Sequence, residues 1–115
     1  MYKFEKLTVW QESVNLAETC YKIAGALPLI EKYGLSDQLR RASTSISLNI
    51  AEGSGSDSDK EFNRFLYLAK KSLFEVISIL KIIERFYPKI YLDEAYRQIE
   101  IVGKLLSGLI KKLKA

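Results

Sequence analysis

The sequence predicts an all-α protein, an up-down-up-down antiparallel four-helix bundle. Three observations carry that expectation. Apolar residues recur every three or four positions in four separate stretches. No stretch alternates with the period of two that a half-buried strand shows. The segments between the stretches are short enough to hold successive helices side by side and antiparallel. With 115 residues and 48% hydrophobic content, the chain is expected to form a single domain over 1–115. Its helices are expected at about 9–27, 36–52, 59–86 and 93–113.

Residues 1–7 form an arm whose Tyr2, Phe4 and Leu7 can pack on the bundle. Thr8 followed by Gln11 matches a capping box. The first helix then carries Val9, Trp10, Val14, Ala17, Cys20, Tyr21 and Ala24 on one side until Pro28 stops it. Ser36 is the expected cap of the second helix, and Gly34 the turn before it. The apolar seam of that helix is Leu35, Leu39, Ala42, Ile46 and Ile50. Gly53 is expected to end it in the left-handed conformation, leading into a flexible loop rich in Gly, Ser and Asp.

Ser58 and Glu61 form a second capping box, with Asp57 and Asp59 favourable at the positive helix end. The third helix is the longest, with Phe62, Phe65, Ala69, Ser72, Leu73, Val76, Leu80, Ile83 and Phe86 in helical register and Pro88 closing it. Asp93 is the expected cap of the fourth, which runs through Ile99, Val102, Leu106, Leu109 and Leu113. Gly103 and Gly108 lie inside it. Each costs up to about 1 kcal/mol against alanine, so a neighbouring helix is expected to come close there.

Composition excludes several kinds of function. The chain has no histidine and one cysteine, so no disulfide closes within it and a reducing cytoplasm is the expected setting. The start, MYKFEK, lacks the apolar run of a signal peptide. No uncharged apolar stretch nears the ~18 residues of a membrane span, so a soluble protein without membrane partners is expected. Without histidine the Glu-x-x-His ligand pairs of di-iron bundles cannot be built. Gly53 to Ser56 lack the Lys-Ser/Thr that a phosphate-binding P-loop needs. No base stands near Ser43, Thr44, Ser45 or Ser47 in any nucleophile pattern. No catalytic residue, cofactor or metal site is therefore expected, and Cys20 reads as a small core residue.

Two sets of residues remain as candidate sites. Gln38, Arg41, Ser45, Asn49 and Glu52 fall within about 80° of one another on the second helix. Arg41 can pair with Glu75 of the third helix while Ser72 joins the same polar seam. Such a seam fixes helix register or a subunit contact, and a solvated flank is the competing account. The second set is basic: Arg40, Lys60, Arg64, Lys70, Lys71, Lys81, Arg85 and Lys89, with Lys104, Lys111, Lys112 and Lys114 toward the C-terminus. A net charge of +4 permits RNA or DNA binding through phosphates and is compatible with an ordinary solvated surface. Tyr67, Tyr87, Tyr91 and Tyr96 are the aromatic residues with most chance of lying outside the core to stack on bases.

The run YGLSDQLRRASTSISLNIAEGSG resembles the signature of the four-helix-bundle family named for proteins encoded in intervening sequences of bacterial 23S ribosomal RNA genes. The matching residues are Pro28, Glu31, Tyr33 to Leu35, Gln38 to Ala42, Ser45, Ile46 and Asn49 to Gly53. They continue with Phe62, Phe65, Ala69, Ser72 and Glu75, and Leu7, Trp10 and Gln11 match the opening. Lys71 departs from the small residue common before the serine. The resemblance implies a cytoplasmic bundle assembling as a ring-shaped homopentamer. Through a related branch, the accessory variability protein of diversity-generating retroelements, it also implies nucleic acid and a reverse transcriptase as partners. The expected function is thus a non-catalytic homo-oligomer binding RNA or DNA; the alternative is a scaffold for a protein partner.

Overall fold

A computed structural model describes residues 1–114. Four helices make up most of the chain: α1 (Thr8–Ala26), α2 (Leu35–Ser54), α3 (Asp59–Phe86) and α4 (Asp93–Lys114). Short 3₁₀ turns at Lys3–Lys6 and Leu29–Glu31 precede α1 and α2. No strand occurs among the described residues. Each helix packs on its chain neighbours and α1 closes on α4, while the diagonal pairs stay apart. Ser45 meets Ser72, and Asn63 meets Ile110. Ser36 meets Ala24. Chain positions thus rise on one helix as they fall on its neighbour, and the bundle is antiparallel up-down-up-down. Among the described residues, no helix is long and apolar enough to cross a membrane.

The core follows the helical period. Leu39, Ala42, Ile46 and Ile50 of α2 face Leu66, Ala69, Leu73 and Val76 of α3, with Leu16, Cys20, Val102 and Leu106 completing the interior. On α1 the buried face is rotated from the expected one. Val9, Ser13, Leu16, Ala17, Cys20, Ile23 and Ala24 are buried, whereas Val14 and Tyr21 are exposed. Ser13 goes inside because its Oγ donates to the Trp10 carbonyl at 2.7 Å, which removes the cost of burying a hydroxyl. Phe86, expected in the core, is also exposed.

Helix ends depart from the sequence expectations in four places. Thr8 is already helical, the cap is Leu7 without a side-chain bond, and Gln11 Nε2 instead donates to the Glu5 carbonyl at 2.7 Å. Ser36 lies inside α2, and its Oγ donates to the Ala24 carbonyl at 3.0 Å, tying α2 to the end of α1. The acceptor at the start of α2 is Glu31, whose Oε1 takes the Leu35 N–H at 3.3 Å while its Oε2 takes the Tyr87 hydroxyl at 2.6 Å. One carboxylate therefore caps α2 and anchors the end of α3. Asp93 is the first helical residue of α4. Ser58 caps α3, accepting the Glu61 N–H at 3.1 Å, but the return half of the expected box does not form, because the Glu61 carboxylate accepts from Arg64 instead.

Gly53 does not end α2. The helix continues through Ser54, and no glycine among the described residues has a positive φ. What Gly53 supplies is room: a Cβ there would lie 2.6 Å from Phe65 Cβ and 3.0 Å from Phe62 Cδ1. At Gly103 an added Cβ would make an ordinary 3.6 Å contact with Leu73, and at Gly108 nothing lies within 4 Å. Close approach is thus required at Gly53 and at neither glycine of α4. Gly53→Ala should lower stability by about 1–3 kcal/mol through overpacking, although alanine is the better helix former. Gly108→Ala should raise it by up to about 1 kcal/mol. Urea melts of both variants check the pair, and equal shifts would sink the close-approach account.

Candidate functional site

The expected polar seam forms in part. The Ser45 and Ser72 hydroxyls lie 2.9 Å apart across α2 and α3. Asn49 Nδ2 donates to the Ser45 carbonyl at 2.8 Å and to its Oγ at 3.2 Å. The hydroxyl contact joins the two helices, and Asn49 braces Ser45 from its own helix. The rest of the set lies apart from them. Arg41 does not pair with Glu75; its Nε donates to Asp37 Oδ2 at 3.1 Å, one turn back on α2, with the side chain exposed. Intrahelical reach explains this, since residues four apart on one helix are neighbours. Gln38, Glu52 and Glu75 are exposed. Glu52 lies near enough to Arg64 to help hold that guanidinium charged.

Other hydroxyls of α2 are committed to its own backbone. Ser43 and Thr44 donate to the Arg40 carbonyl at 3.1 and 2.9 Å, and Ser47 to the Thr44 carbonyl at 3.0 Å. Cys20 is fully buried beside Ser43, and burial pushes its thiol up to about 12 against a smaller lowering by the Ser43 hydroxyl. Such a thiol is neutral and poorly nucleophilic. Among the described residues, no group of three His, Cys, Asp or Glu is placed to hold a metal ion.

The basic residues are spread along the bundle, with a group at each end and others between. Lys60 and Arg64 at the start of α3 share one end with Lys111, Lys112 and Lys114 of α4. Arg64 is held by Glu61 at 2.7 Å and lies over the Phe65 ring, 4.5 Å from its centroid. Lys81, Arg85 and Lys89 occupy the last turns of α3 and the loop after it. Lys81 reaches Glu84 at 3.8 Å and the Tyr96 ring at 4.7 Å. Arg40 is half-buried. Lys71 is exposed on the outer face of α3.

Lys70 and Lys104 rim a groove of about 500 Å³ between α3 and α4, floored by Leu73, Ile77, Ile99 and Gly103. Phe74 stands at its edge, 62% exposed. A second cleft, of about 390 Å³, lies among Lys60, Asn63, Arg64, Tyr67, Leu113 and Lys114. Asn63 is a residue that periodicity alone did not single out. Its Oδ1 and Gln98 Oε1 are buried without a hydrogen-bond partner among the described residues. Of the four tyrosines expected to be accessible, Tyr67 and Tyr91 are exposed. Tyr87 is engaged by Glu31 and Tyr96 by Glu84 at 3.2 Å. Burial and the Glu84 charge raise the Tyr96 hydroxyl to about 12.

Residues 5–108 match the model of one protein family, described as 23S rRNA-intervening sequence protein. No curated protein matches the sequence.

Two measurements check the assignments of Ser45 and Cys20. Ser45→Ala and Ser72→Ala should each cost about 0.5–1.5 kcal/mol. The double variant should cost less than their sum; strict additivity would mean that the hydroxyls do not interact. The folded chain keeps the Cys20 proton to about pH 12, whereas the unfolded chain sheds it above about pH 9. This contribution to stability is complete below pH 9 and declines as pH rises, by roughly 1 kcal/mol per pH unit. Alkaline urea melts of Cys20→Ala should lose that part of the slope, and a slope equal to wild type would assign it elsewhere.

Proposed function

The chain belongs to the 23S rRNA-intervening sequence protein family, and from that premise we propose a non-catalytic, homo-oligomeric bundle that binds RNA or DNA through its basic outer surfaces. The observation that carries the reading is the state of the cations. Lys60, Lys71, Arg85 and Lys104 are exposed and have no acid within 4.0 Å among the described residues. Exposed charges not matched by local acids are available to phosphates. A closed assembly repeats every such group around its axis and strengthens the field.

Self-assembly is supported by apolar side chains on the outer side of α3. Tyr67, Phe74, Ile82 and Phe86 are exposed along it, and large exposed apolar patches mark contact surfaces. Five copies in a ring is the number that the family resemblance implies. A non-catalytic role is supported by the absence of histidine and by the α2 hydroxyls committed to backbone carbonyls. A neutral, buried thiol fits a reducing compartment, so the proposed setting is the cytoplasm. The second reading, a scaffold for a protein partner such as a reverse transcriptase, is favoured by one observation. Leu29, Ile30 and Tyr33, beside the start of α2, are 84–85% exposed.

Titration of labelled structured RNA and duplex DNA at several salt concentrations, with oligomer mass recorded on the same sample, separates the readings. Nucleic-acid binding should weaken log-linearly with salt, and Lys71→Ala with Arg85→Ala should reduce both affinity and slope. A stable oligomer indifferent to both ligands at low salt would leave the scaffold reading. Phe74→Glu should shift the mass toward monomer while the helices persist by circular dichroism. An unchanged mass would remove this face from assembly.

A further inference from the structure

We infer that α4 is a releasable helix, which undocks from the bundle as one unit while α1, α2 and α3 stay packed. Opening of this kind occurs where buried contacts are fewest and buried polar groups are poorly satisfied. α4 meets α3 and α1 less extensively than α2 meets its two neighbours. The inference is independent of nucleic-acid binding and of assembly.

The buried polar side chains draw the same boundary. Ser13, Ser36, Ser43, Ser47 and Ser54 each donate to a backbone carbonyl. Asn63 Oδ1 and Gln98 Oε1 are the buried atoms without a partner among the described residues, and both residues lie where α4 meets a neighbour. From α3, Asn63 Nδ2 donates to the Ile110 carbonyl of α4 at 3.2 Å. From α4, Gln98 Nε2 reaches the Asn15 carbonyl of α1 at 3.5 Å, a long bond to an acceptor that also takes the Thr19 hydroxyl at 3.3 Å. Exchanging O and N in either amide would turn an oxygen toward the carbonyl. Each orphaned oxygen is therefore unpaired while α4 is docked and gains water when α4 leaves.

Other features of α4 weaken its hold. Gly103 and Gly108 lie inside it, neither is required by packing, and each is less favourable in a helix than alanine. Clefts of about 500 and 390 Å³ run along its α3 side, and another of about 500 Å³ lies where its start meets α1. Its side-chain tie to α3 at that end is at the surface, where the Tyr96 hydroxyl donates to Glu84 at 3.2 Å. No ion pair joins α4 to another helix among the described residues. The hinge is fixed on its near side. Tyr87 donates to Glu31 at 2.6 Å, which keeps the end of α3 on the start of α2 while residues 88–92 turn. Release uncovers Leu73, which is buried beside Gly103, so the device gates an apolar surface on α3.

Native-state hydrogen exchange of the full chain, read by mass spectrometry on peptides from each helix, tests it. The α4 amides should exchange together, about tenfold or more faster than the slowest amides of α2 and α3. Ser72→Ala weakens the α2–α3 contact, which the open form keeps. It should therefore speed those slow amides about twofold to tenfold and leave α4 unchanged. Gln98→Met and Asn63→Leu each put an apolar side chain of similar size in place of an orphaned amide. Each should slow α4 exchange about tenfold. Equal protection of all four helices, or equal acceleration of α4 by Ser72→Ala, would show one cooperative unit and overturn the inference. α4 exchange slowed by neither amide variant would overturn it as well, since the unpaired amides are its physical cause.

Discussion

How closely α2 can approach α3 sets the geometry of the whole bundle. Helix axes come near one another only where side chains are small, and this interface has glycine at position 53, serines at 45 and 72, and alanine at 69. At Gly53 the α3 side chains Phe62 and Phe65 occupy the space a Cβ would need. Farther along, the same proximity lets two short serine hydroxyls touch and lets Asn49 bond within the seam. The contact between α1 and α2 is built similarly, with Cys20 beside Ser43 and the Ser36 hydroxyl on the Ala24 carbonyl. These two interfaces form the most extensive packing in the chain.

Tight packing on one side of the bundle leaves the other side more open. α4 meets α3 and α1 less extensively, and the larger groove and the cleft beside Asn63 both lie between α3 and α4. The Glu31 carboxylate works across the whole far end, capping α2 and holding Tyr87 after α3. Gly34 belongs to that arrangement, since a Cβ there would come within 2.9 Å of Glu31 Oε1. Glu31, Gly34 and Leu35 of the family signature thus have a structural meaning: with Tyr87 they make one joint between the start of α2 and the end of α3. Most polar residues inside the bundle are spent on hydrogen bonds within it, and among the described residues Asn63 Oδ1 and Gln98 Oε1 are the buried side-chain atoms left over.

Four amphipathic periods, two prolines and the Ser58 cap are properties of short stretches, and they were readable as such. Reading failed where two local patterns were equally good. On α1, Val14 and Leu16 are both apolar, and only the buried bond of Ser13 shows which face turns inward. Ser36 resembles a cap in sequence but spends its hydroxyl on α1. Arg41 has an acid one turn back and another on the next helix, and the intrahelical one is the partner. Asn63 sits in an apolar register and carries no signal of its own. Its unpartnered oxygen becomes visible only when Ile110, far along the chain, is placed beside it.

By itself the sequence determined the number and order of the helices, the family, and the excess of positive charge. Each is a property of residues near one another along the chain, where the 3.6-residue period acts without reference to anything distant. Tertiary structure alone decided which glycine is indispensable, which polar groups pair, and which cations share a cleft with an orphaned amide. Those depend on distances between residues tens of positions apart. Such distances are set by how closely two helices pack, a quantity that no single helix encodes.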